Sequence, residues 1–184
     1  DSTALVFGLA GAQHAKDLGI SVGGDAQLGC GVVHTDHVSG GRVIGSPKVC
    51  DGWRARWTAS MRADPKARLM LMVGAWEILD HDAGAGVVRF GSTAWTDLVT
   101  TSLRTALRVL TADGRTAYVF EVPCYGEGDV ANPYPERSDP RRIAALNEIF
   151  ARVAHSMPKV EIVPWRSLVC PDGHRVEDLG GVHL

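Results

Sequence analysis

What this sequence lacks narrows its chemistry before any residue is given a role. It has no surplus of charge: 19 Lys and Arg stand against 21 Asp and Glu, a formal net charge of −2. That leaves no basic field for nucleic acid or anionic lipid, so neither is an expected partner. It has no long apolar run. The longest, near Leu5–Ala12 and Leu69–Trp76, are too short to span a bilayer. No C-x-x-C pair is present, which removes a zinc ribbon or a thioredoxin-like motif. No G-x-G-x-x-G follows a first strand and no P-loop lysine motif occurs, which argues against nucleotide chemistry. The G-x-S-x-G nucleophile elbow is also missing. No basic leader or cleavage site opens the chain, which starts abruptly at Asp1-Ser2. We expect it to be a fragment of a longer protein.

What is present reads as one ordinary domain over 1–184, with 45% hydrophobic and 22% charged residues. Four cysteines, Cys30, Cys50, Cys124 and Cys170, lie in loop-like contexts, and their even number points to two disulfides and an oxidising compartment. Four cysteines allow three pairings and the sequence does not choose among them; Cys30–Cys50 with Cys124–Cys170 is the pairing we favour. Four reduced, buried thiols are the alternative.

Helices are predicted over Thr3–Leu18, Asp51–Met61, Ser92–Ala112 and Ser138–Ser156. Strands are predicted over Ile20–Gly23, Arg68–Val73, Arg115–Val122 and Val160–Val163. The Arg68–Val73 run reads as a strand buried on both faces. Cys124–Arg137 reads as a functional loop, and the tail from Pro164 as irregular. Strands alternating with helices imply a mostly parallel sheet with helices on both faces, a three-layer α/β/α fold. Chemistry is then sought just after the strands, at their carboxyl ends.

Four places fit. Ser2 precedes the first helix, where N–H groups and the dipole favour negative charge; taken alone it reads better as a plain N-cap. Gly29-Cys30-Gly31 suits backbone donors turned into a cavity, or a tight turn. Trp76 and Glu77 follow the third strand. His183, after Gly180-Gly181, has the placement of a general base, or of a surface histidine. The Asp80-His81-Asp82 run, with His34 and His37, raises a cation site, but on a loop it reads better as a solvated turn, so no metal and no cofactor is expected.

The order of these blocks resembles the SGNH hydrolase superfamily, the GDSL-like lipases and esterases. Asp1-Ser2-Thr3, Leu28-Gly29-Cys30-Gly31, Cys50 followed by Trp53 and Trp57, Gly74-Ala75-Trp76-Glu77, Leu146-Asn147, and Cys170-Pro171 before Gly181-Val182-His183 are most similar to the SGNH domains fused after acyltransferase-3 membrane domains in actinobacteria. The resemblance covers essentially the whole chain and implies a flavodoxin-like fold. It makes Ser2 the nucleophile and one oxyanion donor, Gly29 (or Gly31) a second donor, and His183 the base. Three departures accompany it. Trp76 stands where the family has Asn, Gly180 stands where it has the triad Asp, and the strand and glycine before Asp1-Ser2 are not in the sequence. Asp178 or Glu177 is the fallback orienting acid.

The resemblance implies serine-dependent acyl transfer or ester hydrolysis on cell-envelope carbohydrate, on the extracytoplasmic side. An acyl donor, a glycan acceptor and a membrane acyltransferase-3 domain would be the partners. The competing reading is a decayed site that only binds carbohydrate, with Trp53, Trp57, Trp76, Trp95 and Tyr125 supplying rings for sugar stacking.

Overall fold

In the computed structural model, residues 2–125 and 133–171 are described, Ser2 without its side chain. The chain is a mixed α/β structure with two small sheets over one core. Helix α1 (Ser2–Gln13) opens it, and a short α2 (Ala15–Leu18) follows after a break at His14. Gly19 ends α2 in the left-handed conformation, with φ 63°. Residues 20–27 are irregular rather than the expected strand. Among the described residues no strand pairs with this segment, and a strand without a ladder leaves its backbone groups to water.

The parallel sheet comprises β3 (Leu69–Leu71), β6 (Ala117–Phe120) and β7 (Val160–Val163), in the order β3-β6-β7. The run at 68–73 is a strand for three residues only. It is buried on one face, since Met70 is 49% exposed between buried Leu69 and Leu71. Its continuous hydrophobicity therefore reflects one covered face plus the turn beyond it, not two covered faces.

Two helices match their sequence signals closely. α4 (Thr93–Leu110) is capped by the Ser92 side chain, which accepts the Trp95 N–H, and it buries Val99, Leu103 and Leu107 completely. α5 (Pro140–His155) is capped by Asp139 with Pro140 at its first position, and it turns Ile143, Leu146, Ile149, Phe150 and Val153 inward. α4 packs between α5 and α3 (Trp53–Ala63), while α5 also covers β7. Each fully buried Leu of these stripes contributes about 1.5–3 kcal/mol. After β7 the chain forms a further short helix, α6 (Trp165–Val169), where an irregular tail was expected.

The second sheet has no counterpart in the sequence reading. β1 (Asp36–Ser39), β2 (Arg42–Ile44), β4 (Asp80–Asp82) and β5 (Val87–Val88) form an antiparallel sheet in the order β2-β1-β4-β5. A 3-10 turn at Pro135–Ser138 is tied to the β1–β2 hairpin, since Glu136 accepts the Gly40 N–H and the Ser39 hydroxyl. One contiguous core runs from Val32 and Val33 through β3 and β6 to α4 and α5.

Two disulfides, Cys30–Cys50 and Cys124–Cys170, close the chain in the favoured pairing. They mark an oxidising or extracellular environment. Among the described residues, no helix is long and apolar enough to cross a membrane.

Candidate active site

The carboxyl ends of the parallel strands gather several of the expected elements. Thr3, in the first turn of α1, is buried and borders a small crevice with Val73 beyond β3, Phe120 at the end of β6, and Tyr125. Phe7 of α1 meets Phe120 and Trp165 edge-on, with ring centroids 5.8 and 5.7 Å apart. These contacts anchor the start of α1, the helix that Ser2 begins, at the carboxyl end of β6. Asp178, Glu177, Gly180 and His183 lie outside the described residues, so the geometry does not bear on the expected base or its orienting acid.

After β3 the chain turns sharply at Gly74, with φ 142°. A side chain there would also collide with Val122. The turn delivers Trp76 and Glu77 to one loop, the Gly29–Val33 turn. A Cβ on Gly29 would stand 3.9 Å from Cζ2 of Trp76, the ring carbon next to the one bearing the indole nitrogen. Trp76 and Gly29, both expected at an oxyanion site, are thus neighbours. Trp76 is half-buried and boxed in. His37 lies 4.9 Å from it and Tyr134 5.6 Å, and the Arg137 guanidinium carbon is 4.5 Å from its centroid. A ring held on three sides keeps its orientation, as a hydrogen-bond donor to a transient charge must.

Glu77 is fully buried. One carboxylate oxygen accepts the Val32 N–H and, at 3.4 Å, the Val33 N–H; the other has no hydrogen-bond partner among the described residues. Gly31 lies directly against the bonded oxygen, leaving no room for a Cβ. The Cys30–Cys50 bridge fastens the same turn to the 3-10 turn Lys48–Cys50.

Arg137 is 7% exposed. Its Nε donates to the Ala75 carbonyl at 2.7 Å and its guanidinium also faces Tyr134. Burial pulls its pKa below the ordinary arginine value, and burial raises that of the nearby Tyr125 phenol. Tyr125 is therefore a neutral hydroxyl near neutral pH.

The Asp-His-Asp run is not the solvated loop turn that was expected. Asp80-His81-Asp82 is strand β4, and successive strand side chains face opposite ways. His81 points inward, paired across strands with His37, and both are essentially buried. Asp80 faces away to the Arg142 guanidinium at 2.9 Å, and Asp82 accepts the Gly84 N–H. Alternation thus separates the carboxylates from the imidazole. Among the described residues no group of three or more His, Cys, Asp and Glu gathers to hold a metal ion.

The expected ring surface for sugars is also reduced. Trp95 is a core residue whose indole N–H donates to the Leu79 carbonyl at 3.0 Å. Trp53 is buried between His34 and Trp57. Arg137 is the residue that the sequence left unmarked; Glu77 stood out only by its place after the third strand, and His37 only as a member of a cation site. A lone carboxylate between Trp76 and the apolar Ile78-Leu79 was the available signal for Glu77; Arg137 carried none.

No protein-family model matches the chain, and no curated protein matches it in sequence.

Proposed function

We propose that this chain is an SGNH-type serine acyl-transfer domain acting on cell-envelope carbohydrate outside the cytoplasm. The observation that carries the reading is the convergence of Trp76 on Gly29, two expected oxyanion positions from separate parts of the chain, through the segment that leaves the carboxyl end of a parallel strand. The start of α1 bordering the crevice at the same sheet edge supports it. The parallel order β3-β6-β7, with α5 covering one face, is compatible with the three-layer, flavodoxin-like arrangement that this reading requires.

In the proposed reaction the Ser2 hydroxyl oxygen adds to the carbonyl carbon of an acyl ester and its proton passes to His183. The negative charge on the former carbonyl oxygen is met by the Ser2 and Gly29 N–H groups, with the Trp76 indole N–H as third donor. Collapse breaks the bond to the leaving alcohol, which takes the proton from His183 and leaves acyl-Ser2. The acceptor then gives a proton to His183 and attacks the acyl carbon; the bond to the Ser2 oxygen breaks, and that oxygen takes the proton back from His183. With water as acceptor the domain is an O-acetylesterase; with a glycan hydroxyl it is an O-acyltransferase. The acyl donor would come from an acyltransferase-3 membrane domain of the same polypeptide, which also supplies the tether to the plasma membrane.

The test is hydrolysis of p-nitrophenyl acetate by the full chain. Ser2→Ala should lower the rate by about 10³-fold or more, and a fluorophosphonate should label Ser2. Equal rates for wild type and Ser2→Ala overturn the reading.

A further inference from the structure

Glu77 is a wholly buried carboxylate that no step above uses, and its placement is specific. It follows Trp76 directly, so two adjacent residues from the end of β3 grip one turn, with Trp76 beside Gly29 and Glu77 beneath Gly31, Val32 and Val33. Burying a carboxylate is costly unless its charge is used. An apolar side chain of the same size would fill the space but leave the buried Val32 N–H unpaired. The carboxylate oxygen also sets the identity of residue 31, since only glycine lets the backbone come so close.

We propose that Glu77 is a positioning residue for the oxyanion site. By binding the N–H groups of Val32 and Val33 and seating Gly31, it fixes the direction of the peptides at Gly29–Gly31. This inference rests on the acyl-transfer reading above. Removing Glu77 leaves the nucleophile and base in place but lets the turn relax, so the loss falls on the transition state and not on substrate binding.

The experiment compares wild type, Ser2→Ala, Glu77→Gln, Glu77→Ala and Gly31→Ala in p-nitrophenyl acetate hydrolysis and fluorophosphonate labelling, all in the full, oxidised chain. Glu77→Gln keeps shape and an acceptor oxygen but loses charge; kcat should fall about 10-fold with KM within twofold. Glu77→Ala should lose about 10²-fold in kcat, the scale of one oxyanion donor. In both, labelling should still reach one probe per chain, only more slowly, because every folded molecule keeps its serine. Gly31→Ala should be as harmful as Glu77→Ala, and the Gly31→Ala/Glu77→Ala double variant no worse than Glu77→Ala alone, because the collision partner is gone.

If Ser2→Ala abolishes activity while both Glu77 variants keep kcat within twofold, the positioning role is wrong and the acyl-transfer reading stands. If kcat in Glu77→Gln falls only in step with the labelling endpoint, Glu77 merely supports folding, and the proposal is also overturned. If Ser2→Ala retains the wild-type rate, the acyl-transfer reading itself fails.

Discussion

Single residues make exacting contacts beside the proposed site. Asn147 of α5 accepts the Val122 N–H at 2.8 Å and donates to the Val122 carbonyl at 3.0 Å, acting as a one-residue strand partner just past the end of β6. Val122 is fully buried, and its side chain fills the space that Gly74 leaves open. Asn147→Leu keeps the volume but strands two buried backbone groups, each worth about 1–3 kcal/mol. We expect an overall loss of about 2–4 kcal/mol, read as a lower urea midpoint at unchanged slope. An unchanged midpoint would mean that water replaces the amide freely. The Leu146-Asn147 pair was visible in the sequence as a feature of the resemblance. What it does was not, because its partner lies 25 residues away and is a backbone, which no side-chain pattern encodes.

Among elements, legibility followed length and local signals. α4 and α5 carry caps and a helical apolar stripe, and α5 a first-turn proline, all of which act within one segment, and both form where the sequence places them. The antiparallel sheet carries none of these. Its strands have two to four residues and are rich in His and Asp, and their pairing joins segments such as Asp36–Val38 and Asp80–Asp82 that are distant in the chain. The Ile20–Gly23 segment failed for the opposite reason: its composition suits a strand, but among the described residues no strand pairs with it and Val22 lies against α1 instead. Between these extremes the disulfides were half-legible, since count and context implied bridges without fixing the pairing. The bridges span 20 and 46 residues. Loop-closure entropy therefore ranks their removal at about 3 kcal/mol for Cys30→Ser/Cys50→Ser and about 4 kcal/mol for Cys124→Ser/Cys170→Ser. Thermal melts of the two double variants test this, and an inverted order would show that the bridges act on the native structure and not on the unfolded chain. Catalytic rate should follow the other order, because Cys30 lies between Gly29 and Gly31 in the turn that the proposed oxyanion site uses.

At the scale of the whole molecule, the helices and the parallel sheet form an apolar body, while the loops at its carboxyl edge rest on buried ionisable groups. That division makes stability depend on pH with a definite sign. Burial lowers the pKa of His37 from 6.5 to about 4, with repulsion from His81 and Arg137 adding to it and Glu77 and Asp36 opposing. Burial lowers those of His34 and His81 as well. An unfolded chain takes up these protons at about pH 6.5, whereas folded His37 does so only near pH 4. Between those values the unfolded state binds more protons, so stability is complete above pH 6.5 and drains away as the pH falls toward 4. His37 alone accounts for on the order of 3 kcal/mol across that window, a large share of the roughly 5–15 kcal/mol that holds a domain of this size together. Both of its ring nitrogens lack partners among the described residues and its ring packs on Trp76, so His37→Phe should cost little at pH 7.5 and flatten the decline below pH 6.5. Urea unfolding at pH 7.5, 6.0 and 5.0 compares the two proteins. A wild-type midpoint that does not move with pH, or a His37→Phe decline as steep as the wild type's, would show that the buried imidazole pair titrates with water already at hand.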